Sequence, residues 1–162
     1  MPVGLAVCSP SFYYSEYIDI NDKHEALGRF YSLISEIENI NIIDMNKNLN
    51  VAHKDFAASG VMRFYDFLDK NSYSEYLDVV DYCIYIPATF KGAYDKNIIH
   101  LYDDFAHIVS TETLSNTIKN IENVYSTIKD IDLLNEIKFI IKIMKNFIVL
   151  SEENKCPIFW VE

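Results

Sequence analysis

Two histidines and two aspartates stand at a spacing that could bind a divalent metal ion if their segment were helical. They are His100, Asp103, Asp104 and His107, and positions i, i+3, i+4 and i+7 lie along one side of a helix. Imidazole and carboxylate groups are common metal ligands, so a small metal-dependent enzyme is one hypothesis. The solvated face of any amphipathic helix has the same spacing, and no H-E-x-x-H motif is present. We therefore predict no metal ligand, no cofactor and no catalytic residue.

Other common catalytic motifs are absent from the sequence. The four glycines are too widely spaced for a G-x-G-x-x-G motif or a P-loop. No G-x-S-x-G elbow is present. Cys8, Cys83 and Cys156 form no C-x-x-C pair. Cys8 and Cys83 lie in apolar runs, which predicts that both are buried free thiols, and this usage is typical of a reducing compartment.

The segment Tyr65–Asp81, YDFLDKNSYSEYLDVVD, interleaves carboxylates with tyrosines and contains a single lysine. Carboxylates steer and pair with a basic protein, and tyrosine rings serve as anchors that lose their water on binding. This pattern therefore predicts a docking surface for a basic partner. The alternative is a helix end, a polar loop and a strand start whose tyrosines pack inward. The candidate partner-binding residues are Tyr65, Asp66, Asp69, Tyr73, Glu75, Tyr76 and Asp78.

Charge is distributed unevenly along the 162 residues, which carry a net charge of −10. The first 112 residues contain 17 acidic and 8 basic side chains, whereas the last 50 contain 7 and 6. Such a surface repels phosphate backbones, which argues against nucleic acid as a partner. It favours encounter with a basic protein, although acidity also serves solubility alone.

The sequence predicts no membrane segment. The apolar stretch Ile137–Leu150 is interrupted by lysines, and the first residues lack the basic region of a signal peptide. Lys138, Lys142 and Lys145 line one side of the last predicted helix, too few for a membrane patch, and we interpret them as a solvated face. We expect a cytoplasmic protein.

The elements that would position these residues are predicted from apolar periodicity and turn residues. Together they indicate one domain, residues 1–162, of mixed α+β class with a small sheet packed against several amphipathic helices. Strands are predicted at Val3–Cys8, Phe12–Ile20, within Asn39–Asn50, at Val79–Ile86 and at Pro157–Val161. Helices are predicted at His24–Glu38, Lys54–Asp69, Ile98–Val109, Leu114–Ile128 and Leu134–Ile148, with a loop at Phe90–Asp95. The last two are expected to form either a tight pair or one long kinked helix.

Two stretches resemble known proteins. The opening MPVGLAV, a polar-aromatic stretch and then RFYSLISEIE resemble the start of small immunity proteins of bacterial polymorphic-toxin systems. The segment Asn97–Lys129 is similar to the later part of one such family, and these families include partners of contact-dependent growth inhibition toxins. The resemblance does not extend to Asn39–Phe90 or Ile131–Glu162.

The resemblance implies a cytoplasmic protein that neutralises a cognate toxin domain by forming a stoichiometric complex. Such toxins are often nucleases and hence basic, which would account for the acidity. The resemblance carries over no catalytic residue. A third hypothesis is a non-catalytic adaptor domain that self-associates through its aromatic residues, and the oligomeric state stays open.

Overall fold

A computed structural model describes residues 2–101 and 103–162. The described residues form six strands, six α-helices and a 3₁₀ turn at Tyr125–Thr127. The strands are β1 (Pro2–Cys8), β2 (Asn50–Ala57), β3 (Ile84–Ile86), β4 (Ala93–Lys96), β5 (Ala106–Ser110) and β6 (Ile158–Val161). The helices are α1 (Pro10–Glu16), α2 (Lys23–Ile34), α3 (Ala58–Lys70), α4 (Ser74–Val80), α5 (Thr111–Glu122) and α6 (Ile131–Asn154).

The strands form one mixed sheet in the order β2-β1-β6-β3-β5-β4. β3 and β5 run parallel, and all other neighbouring strands are antiparallel. β6 lies in the middle, and its four residues, IFWV, are all buried. A strand with no polar residue suits this place, because both of its faces are covered by protein.

Helices cover both faces of the sheet, which confirms the predicted α+β class. Trp160 packs into the core beneath α3, α5 and α6. Phe159, the preceding residue, packs into the core beneath α1 and α2, where its ring stacks on Tyr13 with centroids 3.8 Å apart. Successive strand side chains point to opposite faces, so one short strand contributes to both cores.

The predicted strand at Phe12–Ile20 is wrong, because α1 occupies its first part. Ser9 caps this helix by accepting a hydrogen bond from the Phe12 amide at 3.2 Å, and Pro10 opens the first turn. Both residue types favour a helix start at these positions. The Ser9-Pro10 pair therefore ends β1 and also begins a helix.

Two boundaries between predicted elements lie at other residues in the structure. Lys54 to Ala57, expected at the start of a helix, complete strand β2, and the helix begins at Ala58. Val79 and Val80, expected in a strand, instead end α4. Val79 and Val80 are β-branched, and such residues occur both in strands and in helices. Their residue type was therefore not enough to place the end of α4.

The helix predicted at Ile98–Val109 does not form. Residues 97–101 and 103–105 lack regular structure, and Ala106–Ser110 is strand β5. The loop predicted at Phe90–Asp95 instead contributes to strand β4, which pairs with β5 in an antiparallel hairpin. The apolar spacing that indicated a helix here combines a buried loop residue, Ile98, with inward-facing strand residues.

The segment Asn39–Asn50 forms no strand of its own before β2 begins at its last residue. Ile40 makes only an isolated bridge to Ala88. The Ile43 amide donates to the Lys155 carbonyl oxygen at 2.7 Å, which ties the loop to the end of α6.

The two predicted C-terminal helices are present as separate helices, and the strand predicted at the C-terminus is β6. Asp130 caps α6 by accepting hydrogen bonds from the amides of Asp132 and Leu133, as its place between two apolar periodic runs suggests. α6 has 24 residues, yet no helix among the described residues is long and apolar enough to cross a membrane.

Candidate partner-binding surface

The segment Tyr65–Asp81 folds as a helical hairpin made of the end of α3, a tight turn and α4. The turn includes Ser72 in the left-handed region, with a φ of 65°. The Tyr73 amide donates to the Leu68 carbonyl oxygen at 2.9 Å, and the Asn71 side chain donates to the Phe67 carbonyl oxygen at 2.8 Å. These bonds satisfy carbonyl groups at the end of α3, so the turn is held in a defined shape.

Tyr65 lies in the core beneath this hairpin. Its side chain is buried, and its hydroxyl donates a hydrogen bond of 2.7 Å to the Val80 carbonyl oxygen. The bond joins α3 to the end of α4. Tyr65 therefore supports the candidate surface from below and does not face a partner.

Tyr73 and Tyr76 form the aromatic part of the surface. Their rings stack with centroids 5.5 Å apart and an interplanar angle of 10°, and Phe67 lies 6.1 Å from Tyr73. All three rings are half-buried. Tyrosines in this position present an apolar face and a polar hydroxyl at the protein boundary, the combination that is enriched at protein interfaces.

The carboxylates of the hairpin are exposed. They are Asp66, Asp69, Glu75, Asp78 and Asp81. In the described part of the chain, no lysine, arginine or histidine lies within ion-pairing distance of any of the five. Their charge is therefore not neutralised by an ion pair within the described fold.

Two of these carboxylates line a cleft of 370 Å³ at the β4 edge of the sheet. Asp78 and Asp81 from the hairpin meet Ala93, Asp95 and His107 from the β4–β5 pair. The ring of His107 is hydrogen-bonded to Asp95, its direct neighbour across the two strands. We call these five residues the acidic cleft.

The electrostatics of the acidic cleft disfavour a further negative charge. Partial burial raises the pKa of Asp81, the neighbouring Asp78 raises it further, and His107 partly offsets this. The Cys83 thiol lies beneath and is buried. Burial and then the charges of Asp81, Asp78 and Asp95 raise the pKa of Cys83 to about 12, so the thiol stays protonated and unreactive near neutral pH.

The acidic cleft contains residues that the sequence pattern did not bring together. Asp95 was not a candidate, because it stands in a predicted loop 12 positions before His107. Only the antiparallel pairing of β4 with β5 places the two side by side. The segment that connects β4 to β5 contains no glycine and no Asn-Gly or Asp-Gly turn, so no hairpin signal in the sequence indicated this pair.

The arrangement proposed for metal binding is contradicted by the structure. With no helix at Ile98–Val109, His100 accompanies Asp103 and Asp104 in a separate pocket, whereas His107 lies in the acidic cleft. The His100 ring is hydrogen-bonded to the Phe105 carbonyl oxygen at 2.8 Å. Among residues 2–101 and 103–162, no group of three potential ligands is placed to hold a metal ion.

Comparison with known proteins finds no matching family model, no similar curated protein and no similar solved structure.

Proposed function

We propose that this chain is an immunity protein, an antitoxin-like inhibitor that binds a cognate toxin domain in the bacterial cytoplasm. Binding is stoichiometric, and the toxin domain is basic, as expected of a nuclease of a polymorphic-toxin or contact-dependent growth inhibition system. The candidate contact residues exposed to such a partner are Asp66, Asp69, Tyr73, Glu75, Tyr76 and Asp78, and Asp81 and Asp95 of the acidic cleft extend the same charge.

The observation that carries the proposal is the pairing of unneutralised carboxylates with stacked tyrosine rings on one hairpin. Five exposed carboxylates, none with an ion-pair partner among the described residues, belong to the same hairpin as Tyr73 and Tyr76. Carboxylates attract a basic protein over a distance, whereas ring contacts hold the complex once water is displaced. A surface for solubility alone needs the charge but not half-exposed aromatic rings.

The hairpin is also suited to rigid docking. The turn bonds and the hydrogen bond from Tyr65 to Val80 fix α3 against α4 before a partner arrives. A surface that is already ordered loses little conformational entropy on binding, which favours tight complexes.

Rescue from toxicity in living cells tests the proposal. The C-terminal domain encoded immediately upstream of this gene would be expressed in a sensitive cell, with and without this chain, and survivors counted. We expect survival only when the wild-type chain is present. The variant Tyr73→Ser/Tyr76→Ser should rescue less well at equal cellular level, and toxicity without rescue by the wild type would contradict the proposal.

A further inference from the structure

A second pocket, of 260 Å³, lies between α5 and α6, on the sheet face that α3, α5 and α6 cover. It is lined by Glu122, Tyr125, Lys138, Ile141, Lys142 and Lys145. The three lysines stand at positions i, i+4 and i+7 of α6, so all of them reach the same side of that helix. The last turn of α5 and the 3₁₀ turn form the opposite wall. We call this site the lysine pocket.

The lysine pocket carries positive charge in a strongly acidic chain. The Lys145 ammonium pairs with Glu122 at 3.1 Å. The Lys138 ammonium lies 5.6 Å from the centre of the Tyr125 ring. Lys142 stands between these two lysines and has no ion-pair or hydrogen-bond partner among the described residues. Three cationic groups therefore face one carboxylate, and one of them is free to bind an anion.

The chemistry of the walls favours a phosphoryl group. Lysine acts as a compact point charge with three donors and binds phosphate well, whereas the pocket contains no arginine to grip a planar carboxylate with two parallel bonds. The Lys138 ammonium lies over the Tyr125 ring, so a base or other flat ring would compete with this cation for the ring face. Burial and the neighbouring Glu122 raise the pKa of Tyr125 to about 12, so its hydroxyl keeps its proton near neutral pH.

The pocket is small. Pockets for drug-sized molecules begin at about 300 Å³, and this one is smaller. We propose that the lysine pocket binds the phosphoryl group of a small molecule, with Lys142 as the principal contact and Lys138 and Lys145 at its sides. This site is separate from the acidic cleft, and the inference does not depend on the proposed function.

Calorimetric titration of the full chain tests this inference. The probes are inorganic phosphate, pyrophosphate and glycerol phosphate, each at an ionic strength held constant with sodium chloride. We expect saturable binding of at least one probe. Binding of the inorganic ions alone would indicate a free ion as the natural ligand, and stronger binding of glycerol phosphate would indicate an organic phosphate.

Two variants move the affinity in opposite directions. Lys142→Gln should weaken binding about tenfold, the loss expected for one charge-assisted hydrogen bond. Glu122→Gln should strengthen binding, because it releases Lys145 from its ion pair. Lys91→Gln and Glu16→Gln make the same changes in net charge at exposed positions elsewhere and should leave the affinity unchanged.

The inference is overturned if none of the three probes binds, or if Lys142→Gln and Lys91→Gln have equal effects. Tight binding of duplex DNA that depends on Lys142, without binding of any small probe, would also overturn the assignment to a small molecule.

Discussion

The carboxyl group of Asp81 stands where its negative charge is disfavoured. Partial burial raises its pKa above the usual value, and the neighbouring Asp78 adds to the effect. The negative charge of Asp81 therefore lowers the stability of the fold at neutral pH. Such a charge is expected where it serves binding, since stability and function often oppose each other.

Asp81→Asn should therefore stabilise the free chain at pH 7. The folded-state pKa lies above the unfolded value of about 3.9, so the folded state takes up the proton first as the pH falls. The penalty is present at pH 7, shrinks as the pH falls through the raised pKa, and is gone below the unfolded value. Urea unfolding at pH 7 and pH 3 checks this, and an equal gain at both values would contradict it.

For single residues of the candidate surface, the sequence predicts exposure or burial only where these depend on the residue's own helix. The exposed acids of α3 and α4 follow from composition along one segment. The burial of Tyr65 follows from its helical spacing with Val61, Phe64 and Leu68, an apolar face that the sequence does show. The proximity of Asp95 to His107 could not be predicted from the sequence, because it arises only from the pairing of β4 with β5.

Whole elements were predicted well where the apolar repeat is long. α5 and α6 each bury one face, and their repeats indicated helices while leaving open a tight pair or one long kinked helix. The structure has two separate helices, the first of which ends at Glu122 and not at Ile128 as predicted. The predictions for short segments were wrong where the spacing of three or four apolar residues fits a helix and a strand equally. The segment Ile98–Val109 is one case, and the start of α3 is another, since in both the pairing partner decides the state.

Two glycine substitutions test how the elements are built. Gly28 lies inside α2, and beyond its chain neighbours and the backbone of its own helix no heavy atom lies within 4 Å of the position its Cβ would occupy. Gly28→Ala should therefore raise the free energy of unfolding by about 0.5–1 kcal/mol, because alanine has the better helix propensity. Chemical denaturation measures the change.

Gly4→Ala is the matched substitution with the opposite expectation. Its Cβ would lie 2.5 Å from the Lys54 carbonyl oxygen on the neighbouring strand. Forced contacts of this kind in a packed interior destabilise by about 1–3 kcal/mol or more. If Gly4→Ala left stability unchanged or raised it, the close approach of β1 to β2 at Gly4 would be contradicted, whereas a loss of stability in Gly28→Ala would contradict the expectation for α2.

At the scale of the whole molecule, the structure separates two charged regions. The acidic cleft lies at the β4 edge of the sheet, whereas the lysine pocket lies between α5 and α6. The uneven charge along the sequence predicted that an acidic surface would come from the first 112 residues. The sequence did not predict the strand order, because β6, last in the chain, inserts between β1 and β3.

The central claim is that the acidic hairpin attracts a basic partner. The most direct test is the association rate of this chain with the purified domain encoded upstream, measured against sodium chloride concentration. We expect a one-to-one complex whose association rate falls steeply with salt, because steering by charge is screened. Asp78→Asn/Asp81→Asn should slow association at low salt. Glu16→Gln/Asp19→Asn removes the same charge from the segment that ends α1 and should not. Rates independent of salt, or equal in both double variants, would contradict the claim.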